Sequence, residues 1–205
     1  MTVGVPSGQF HPASIGSQRL DLPIVPVADE VAIALLMTID RGVAFTATAG
    51  MDLAAALAPS EPEVVATAAT LGIPVAIEVS RALGLDDYLV LQKTRKIHLG
   101  DALAEPLSSI TTTGAQALLL DRARIPAVAG KRVVLVDDVI ATGGSIAACL
   151  RLLRAAGAEV VGIGCLLVEA GGWADALGDD AALVHALGEI PTFAPAPDGS
   201  WAPTA

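Results

Sequence analysis

Residues 133–145, VVLVDDVIATGGS, decide how this chain folds. Four consecutive apolar residues, Val133 to Val136, are the mark of a strand buried on both faces of a parallel sheet. They run directly into two carboxylates, Asp137 and Asp138, and then into a Thr-Gly-Gly-Ser turn, Thr142 to Ser145, that opens a helix. In an open α/β sheet, ligands sit in the crevice beyond the carboxyl ends of the strands, and a glycine-rich turn at a helix start offers free N–H groups to an anion. Gly143 and Gly144 let the backbone close around that anion, and Thr142 and Ser145 add hydroxyl donors. The two aspartates would repel a phosphate. They suit ribose hydroxyls or a hydrated Mg2+, so the ligand implied is a ribose 5-phosphate with its sugar edge on the acids and its phosphate in the loop.

Outward from this stretch the chain alternates strands and helices. Val64 to Thr67 reads as a buried strand, Pro74 to Leu83 as a helix with proline in its first turn, and Tyr88 to Gln92 as another strand. Residues 93–106 are polar and irregular, and two β-type stretches follow near 107–113 and 116–121. The helix after the Thr-Gly-Gly-Ser turn runs from Ser145 to Ala156 and stops at Gly157, and a long strand spans Glu159 to Val168. Upstream, LPIVPV at 22–27 suits an extended edge segment, Asp29 is expected to open an amphipathic helix to about Asp40, and a short Ala-rich helix is expected near 52–58. The order fits an α/β fold: a five-stranded, mostly parallel sheet flanked by helices, with an antiparallel hairpin inserted before the Val133 strand. One domain is expected, its core at about 20–191, with flexible tails at 1–18 and 192–205.

Composition narrows the class. Of 205 residues, 53% are apolar and only 3% aromatic, and Ala, Val and Leu dominate, as suits alternating helices and buried strands. The formal net charge of -10 argues against a nucleic-acid backbone as partner, because that partner needs a basic face. The strongest apolar run, Val31 to Ile39, is bounded by Asp29, Glu30 and Asp40 and is too short to cross a membrane. The first residues have neither the charged nor the apolar region of a signal peptide, so a cytoplasmic location is expected. Cys149 and Cys165 lack metal-ligand spacing and read as core residues in a reducing compartment.

Two further segments suit an anionic ligand. Ala68 to Pro74 follows a strand and opens a helix, so the N–H groups of Thr70, Leu71 and Gly72 and the helix dipole suit a second anion. Lys93, Arg95 and Lys96, with His98 nearby, place three cations within four residues of a chain that has only 12 Lys and Arg in all. Such a cluster suits a leaving group that accumulates negative charge.

The 133–145 segment resembles the 13-residue phosphoribosyl pyrophosphate (PRPP) motif of the type I phosphoribosyltransferases: apolar strand, paired acids, two apolar residues, and a small-Thr-Gly-Gly-Ser/Thr loop. The resemblance implies that fold, with an antiparallel hairpin hood and a small terminal subdomain. It also implies Mg2+-dependent transfer of phosphoribose from PRPP to a purine base in purine salvage, by a homodimer. Asp137 and Asp138 would hold the ribose and possible Mg2+. Val139, Ala141, Thr142, Gly143, Gly144 and Ser145 would bind PRPP. Thr70, Leu71, Gly72 and Arg95 would hold pyrophosphate, and Lys93 and Lys96 would stabilise it as it leaves. The stretch Gly100 to Thr113, with Glu105, Ser108 and Ser109, corresponds to the mobile hood. Val168 and Glu169 fall where purine enzymes of the family hold the base, and Trp173 is expected to pack the hood on the core. Leu187, Ile190 and Pro191 end the fold at an apolar edge.

The base is read from one departure. Hypoxanthine-guanine enzymes of the family usually carry an acid at the first loop position, and here that position is Ala141, which points to adenine. The Ser/Thr-rich hood resembles the xanthine enzymes instead, so xanthine or hypoxanthine is the alternative. A PRPP-sensing regulator of a nucleic acid has the same motif but needs a basic surface or an added domain, and the sequence shows neither.

Overall fold

In a computed structural model of the chain, describing residues 3–94, 101–107 and 116–204, the Val133 strand is the centre of the molecule. The elements in chain order are β1 (Phe10–Ile15), β2 (Gln18–Ala28), β3 (Val31–Ala34), α1 (Val43–Leu57), β4 (Val64–Ala68), α2 (Gly72–Leu83), β5 (Tyr88–Leu91), β6 (Ala102–Leu107) and β7 (Gln116–Asp121). They continue with β8 (Arg132–Ile140), α3 (Gly144–Ala155), β9 (Glu159–Glu169), α4 (Trp173–Leu177), β10 (Val184–Ala186), β11 (Glu189–Ile190), β12 (Thr192–Pro195) and β13 (Trp201–Pro203).

The central sheet has the order β10-β9-β8-β4-β5, with every pairing parallel and the short β11 added beside β9. Strand β8 shows why the sequence reads as an unbroken apolar run. Val134 and Val136 face one core, with Leu53, Leu57, Val75 and Val79 of α1 and α2, while Val133 and Leu135 face a second core with Leu150 and Leu153 of α3. Both faces are covered, so period-two polarity disappears. From β4 the chain proceeds outward to β5, and from β8 it proceeds outward the other way to β9 and β10. The reversal lies between β4 and β8, and in open α/β sheets that is where a crevice forms.

Two antiparallel modules flank this sheet. The hairpin of β6 and β7 pairs Ala102 with Asp121 through Leu107 with Gln116, and an ion pair between Arg151 and Glu105 ties it to α3. Residues 102–106, expected to be irregular, are therefore part of the hairpin, while 108–113, expected to be β-type, lie outside the described residues. The hairpin's apolar residues Leu103 and Leu107 pack on the α3 core, and that tertiary packing outweighs the local signals of Glu105 and Pro106.

The second module is a five-stranded sheet, β1-β2-β3-β12-β13, built from both ends of the chain. It is the small terminal subdomain, and it corrects three expectations. The helix expected from Asp29 to Asp40 is instead a turn at Asp29–Glu30, strand β3, and a single 3-10 turn over Thr38–Asp40. A nine-residue run that is apolar except for Thr38 satisfies a helical period without choosing it. Ala32 and Ala34 are buried and Val31 is exposed, which is the alternation of a half-buried strand. The Ala-rich helix expected near 52–58 begins much earlier, at Val43, because Phe45, Ala49, Leu53 and Leu57 form one buried stripe at helical spacing.

The third correction concerns the ends. Residues expected to be loose tails include β1, β12 and β13, with Phe193 and Trp201 only 2% and 4% exposed. Strand β12 pairs with β3, so the carboxyl end completes a sheet that the amino end begins. The turn that returns the chain is Pro197-Asp198-Gly199-Ser200, where Asp198 accepts a hydrogen bond from the Ser200 N–H at 3.0 Å and Gly199 has φ +81°.

Phe193, packed edge-on against His11 with ring centroids 5.4 Å apart, gives the test of this arrangement. Phe193→Ala is expected to lower unfolding stability by about 3–5 kcal/mol, read from the denaturation midpoint at constant slope. A change below about 0.5 kcal/mol would return the carboxyl end to the status of a loose tail.

Candidate active site

The carboxyl ends of β4 and β8 border one pocket of about 210 Å³, at the point where strand order reverses. It is lined by Thr70 and Leu71 from the turn after β4, by Lys93 beyond β5, and by residues 137–143, 145 and 146 from β8 and the turn that follows. Of the residues singled out in the sequence, the structure thus brings together Thr70, Leu71, Lys93, Asp137, Asp138, Val139, Ala141, Thr142, Gly143 and Ser145.

Each border has its own chemistry. Among the described residues, the N–H groups of 142–146 donate to no protein acceptor, and the first bond of α3 runs from the Ala147 N–H to Gly143 O at 2.9 Å. The start of α3 is thus a row of free donors at the positive end of a helix dipole. The N–H groups of Thr70, Leu71 and Gly72, at the start of α2, are likewise without a protein acceptor among the described residues. Two anion cradles therefore face one crevice, and the paired carboxylates stand between them.

Gly143 has φ +77°, and a Cβ there would lie 2.7 Å from Trp173 O and 3.1 Å from Ala176 Cβ. The glycine thus serves the packing of α4 on the loop as well as any approach of a ligand. Trp173 belongs to the α3 core cluster, and the Arg154–Asp180 ion pair, at 2.6 and 2.7 Å, holds the segment after α4 against α3. Gly144 is the first residue of α3 and does not line the pocket. Gly72, next to the lining residue Leu71, is buried, and a Cβ on it would overlap Thr67 Oγ1 and lie 2.7 Å from Asp137 Oδ1.

The acids are not equivalent. Burial, and then the charge of Asp138, push the Asp137 carboxyl up to about 8. Its Oδ1 accepts a hydrogen bond from the Asp138 N–H at 3.0 Å. Asp138 is also raised, chiefly by burial, while its hydrogen bonds oppose the shift. Burial similarly pushes the thiols of Cys149 and Cys165 to about 12, and both are free core residues.

Several expected site residues fall elsewhere. Arg95, Lys96, His98, Ser108, Ser109 and Thr111 to Thr113 lie outside the described residues. Val168 and Glu169 do not line the pocket. Val168 sits in the α3 core with Ile140, its register partner on β8, and its N–H donates to Gly188 O at 3.0 Å. Glu169, the last residue of β9, is half-buried, and burial raises its carboxyl. Thr38 was missed by sequence reasoning: its hydroxyl donates to Leu71 O at 2.8 Å from a segment distant in sequence. No local motif reports such a contact.

Among the described residues, no cluster of three or more His, Cys, Asp or Glu side chains forms a metal cage, and no helix is long and apolar enough to cross a membrane. Surface ion pairs take up Arg81, Arg122, Arg124, Lys131, Arg132, Arg151 and Arg154.

A doubly flanked parallel sheet with two helix starts and paired acids at its switch point defines an open α/β protein with its crevice where such folds place their ligands. Residues 47–184 match the phosphoribosyl transferase domain family, which is more than half of the chain, and the chain belongs to that family. Among curated relatives, it is 33% identical over 103 residues to a hypoxanthine/guanine phosphoribosyltransferase of Methanococcus voltae, a match that covers 50% of this chain and 51% of that protein. It is 52% identical over 60 residues to an adenine phosphoribosyltransferase of Clavibacter sepedonicus, covering 28% of this chain and 30% of that one. The matched region therefore spans about half or less of these relatives. The crystal structure of adenine phosphoribosyltransferase from Rhodothermus marinus DSM 4252 shares the fold with TM-score 0.64 and 21% identity, covering 88% of this chain and 94% of the other.

The raised Asp137 carboxyl makes a prediction about the ligand-free protein. An acid whose folded pKa exceeds its unfolded value stabilises the fold at low pH, and that contribution is lost as pH rises through the folded pKa. Stability without ligand or divalent cation should therefore decline from about pH 4 to pH 8, no more steeply than the one-proton limit of about 1.4 kcal/mol per pH unit. Asp137→Asn should flatten that decline in denaturant titrations across the range. An unchanged slope would show that the carboxyl is ionised throughout.

Proposed function

We propose that this chain is a Mg2+-dependent purine phosphoribosyltransferase that converts adenine and PRPP to AMP and pyrophosphate. The observation that carries the reading is the single pocket in which the 141–146 loop, the 70–71 turn, Lys93 and the paired acids Asp137 and Asp138 converge. PRPP has the matching parts: a 5-phosphate, a ribose diol, and a pyrophosphate.

In this reading, the 5-phosphate lies against the free N–H groups of residues 142–146, with Thr142 and Ser145 adding hydroxyls. Asp137 and Asp138 accept from the ribose hydroxyls and hold the ring between the cradles. The pyrophosphate is received by the N–H groups of Thr70, Leu71 and Gly72 and by Lys93, with Lys96 and Arg95 following in sequence. As the bond from C1 to the pyrophosphate oxygen breaks, negative charge grows on that oxygen and positive charge on the ribose ring. The α2 dipole and Lys93 face the first charge, and the carboxylates face the second. A bond from C1 to the purine ring nitrogen completes the transfer, and the displaced N–H proton goes to solvent. Positioning supplies most of the rate, and no side chain forms a covalent bond.

Paired carboxylates suit Mg2+, which keeps most of its water and substrate oxygens as ligands. When bound, Mg2+ would neutralise the pyrophosphate, with Asp137 and Asp138 as its protein contacts. Homodimerisation and a cytoplasmic setting belong to the same reading. An outward apolar face on α1, with Val43 84% and Met51 57% exposed, supports self-association.

Ala141 supports adenine, since a methyl group at the loop's first position leaves the purine N7 proton without a carboxylate partner. Val139 lines the pocket beside it as an apolar wall.

A panel of adenine, hypoxanthine, guanine, xanthine and orotate, each with PRPP and Mg2+, is read by pyrophosphate release. Adenine is expected to have the highest kcat/KM, by tenfold or more. A larger value for a 6-oxopurine would transfer the assignment to that base, and release with none of the five would remove it. Asp137→Asn with Asp138→Asn is expected to lower kcat/KM by about a hundredfold or more. PRPP with Mg2+ at 100 times its Kd should add about 2.7 kcal/mol, on the order of 5–10 °C in Tm, to the native chain.

A further inference from the structure

We infer that Thr38 is a positioning residue for the anion turn at 70–72, through which the terminal subdomain fixes the direction of a donor aimed at pyrophosphate; the inference rests on the function proposed above. Thr38 follows β3 and begins the 3-10 turn Thr38–Asp40, and it is only 1% exposed. A hydroxyl so buried requires a partner, and its Oγ1 donates to Leu71 O at 2.8 Å. Leu71 lines the pocket and immediately precedes α2.

The turn has two backbone ties of its own. The Ala69 N–H donates to Leu91 O at 2.9 Å, and the Ile73 N–H donates to Thr70 O at 3.2 Å. Both hold the flanks. Neither holds the peptide between Leu71 and Gly72. That peptide is planar and trans, so its carbonyl and its N–H point in opposite directions. Anchoring Leu71 O on Thr38 therefore sets where the Gly72 N–H points, and this N–H has no protein acceptor among the described residues. On the inner side, Gly72 rests against Thr67 and Asp137, with no room for a Cβ. The turn is thus gripped between the Thr38 hydroxyl, just beyond β3, and the side chains of Thr67 and Asp137.

Thr38 touches no reacting atom in this account. Its effect should appear in binding of the anion and leave the base and the chemical step alone. Thr38→Val keeps the shape and removes the donor, and Thr38→Ser keeps the donor and removes a methyl group. The expected result for Thr38→Val is a rise of about tenfold in KM for PRPP and in the inhibition constant of pyrophosphate. Its kcat and its KM for the base, at saturating PRPP, should stay within about twofold. Thr38→Ser should lie within about twofold of the native chain in every constant. If Thr38→Val does not fold, Thr38→Ala makes the same comparison without a misfitting methyl group.

Two results would overturn the inference while leaving the proposed function standing: unchanged PRPP and pyrophosphate constants in Thr38→Val, or equal weakening in both variants that merely follows their loss of Tm. A native chain that binds neither PRPP nor pyrophosphate would overturn the proposed function and this inference with it.

Discussion

The site depends on the close approach of Gly72 to Asp137. Helix α2 starts so near the ends of β4 and β8 that a Cβ on Gly72 would overlap Thr67 Oγ1 and lie 2.7 Å from Asp137 Oδ1. That approach sets two helix starts, those of α2 and α3, around one crevice, each with free N–H groups and a positive dipole end. Strand β8 supplies the rest of the frame. Buried on both faces, it holds Asp137 and Asp138 at a fixed height between the cradles.

The electrostatic logic follows from this geometry. Two adjacent carboxylates in a half-buried crevice resist ionising together, and burial with mutual repulsion raises Asp137 to about 8 in the ligand-free chain. The same crevice collects positive dipole ends and Lys93. It is arranged for a ligand with anions at both ends and a cationic or hydroxyl-rich middle. In a chain of net charge -10, the crevice is thus a local concentration of donors, as the proposed anionic substrate requires.

The parts of the fold legible in the sequence were those specified locally. The run Val133 to Ser145 contains both the strand and the turn, so β8, its acids and the start of α3 could be read directly, and β4, α2, β5 and β9 followed from apolar runs with clear stops. The terminal subdomain was illegible because its pairing is non-local: β3 meets β12 across most of the chain, and Val31 to Ile39 has no period that excludes a helix. The Asp198-Gly199 turn was a usable hairpin signal in the tail. In the site, the loop residues were legible, whereas the core burial of Val168 and the hydroxyl of Thr38 arise from strand β11 and the 3-10 turn, neither of which announces itself in sequence.

The most direct test of the account is an amide NMR titration with ribose 5-phosphate, which carries the phosphate and sugar of PRPP without its pyrophosphate. The account predicts saturable shifts at the N–H groups of Thr142 to Ile146 and at Asp137 and Asp138, with Thr70 to Gly72 responding only when pyrophosphate is then added. Shifts elsewhere on the chain, or none at the start of α3 at saturating ligand, would contradict it.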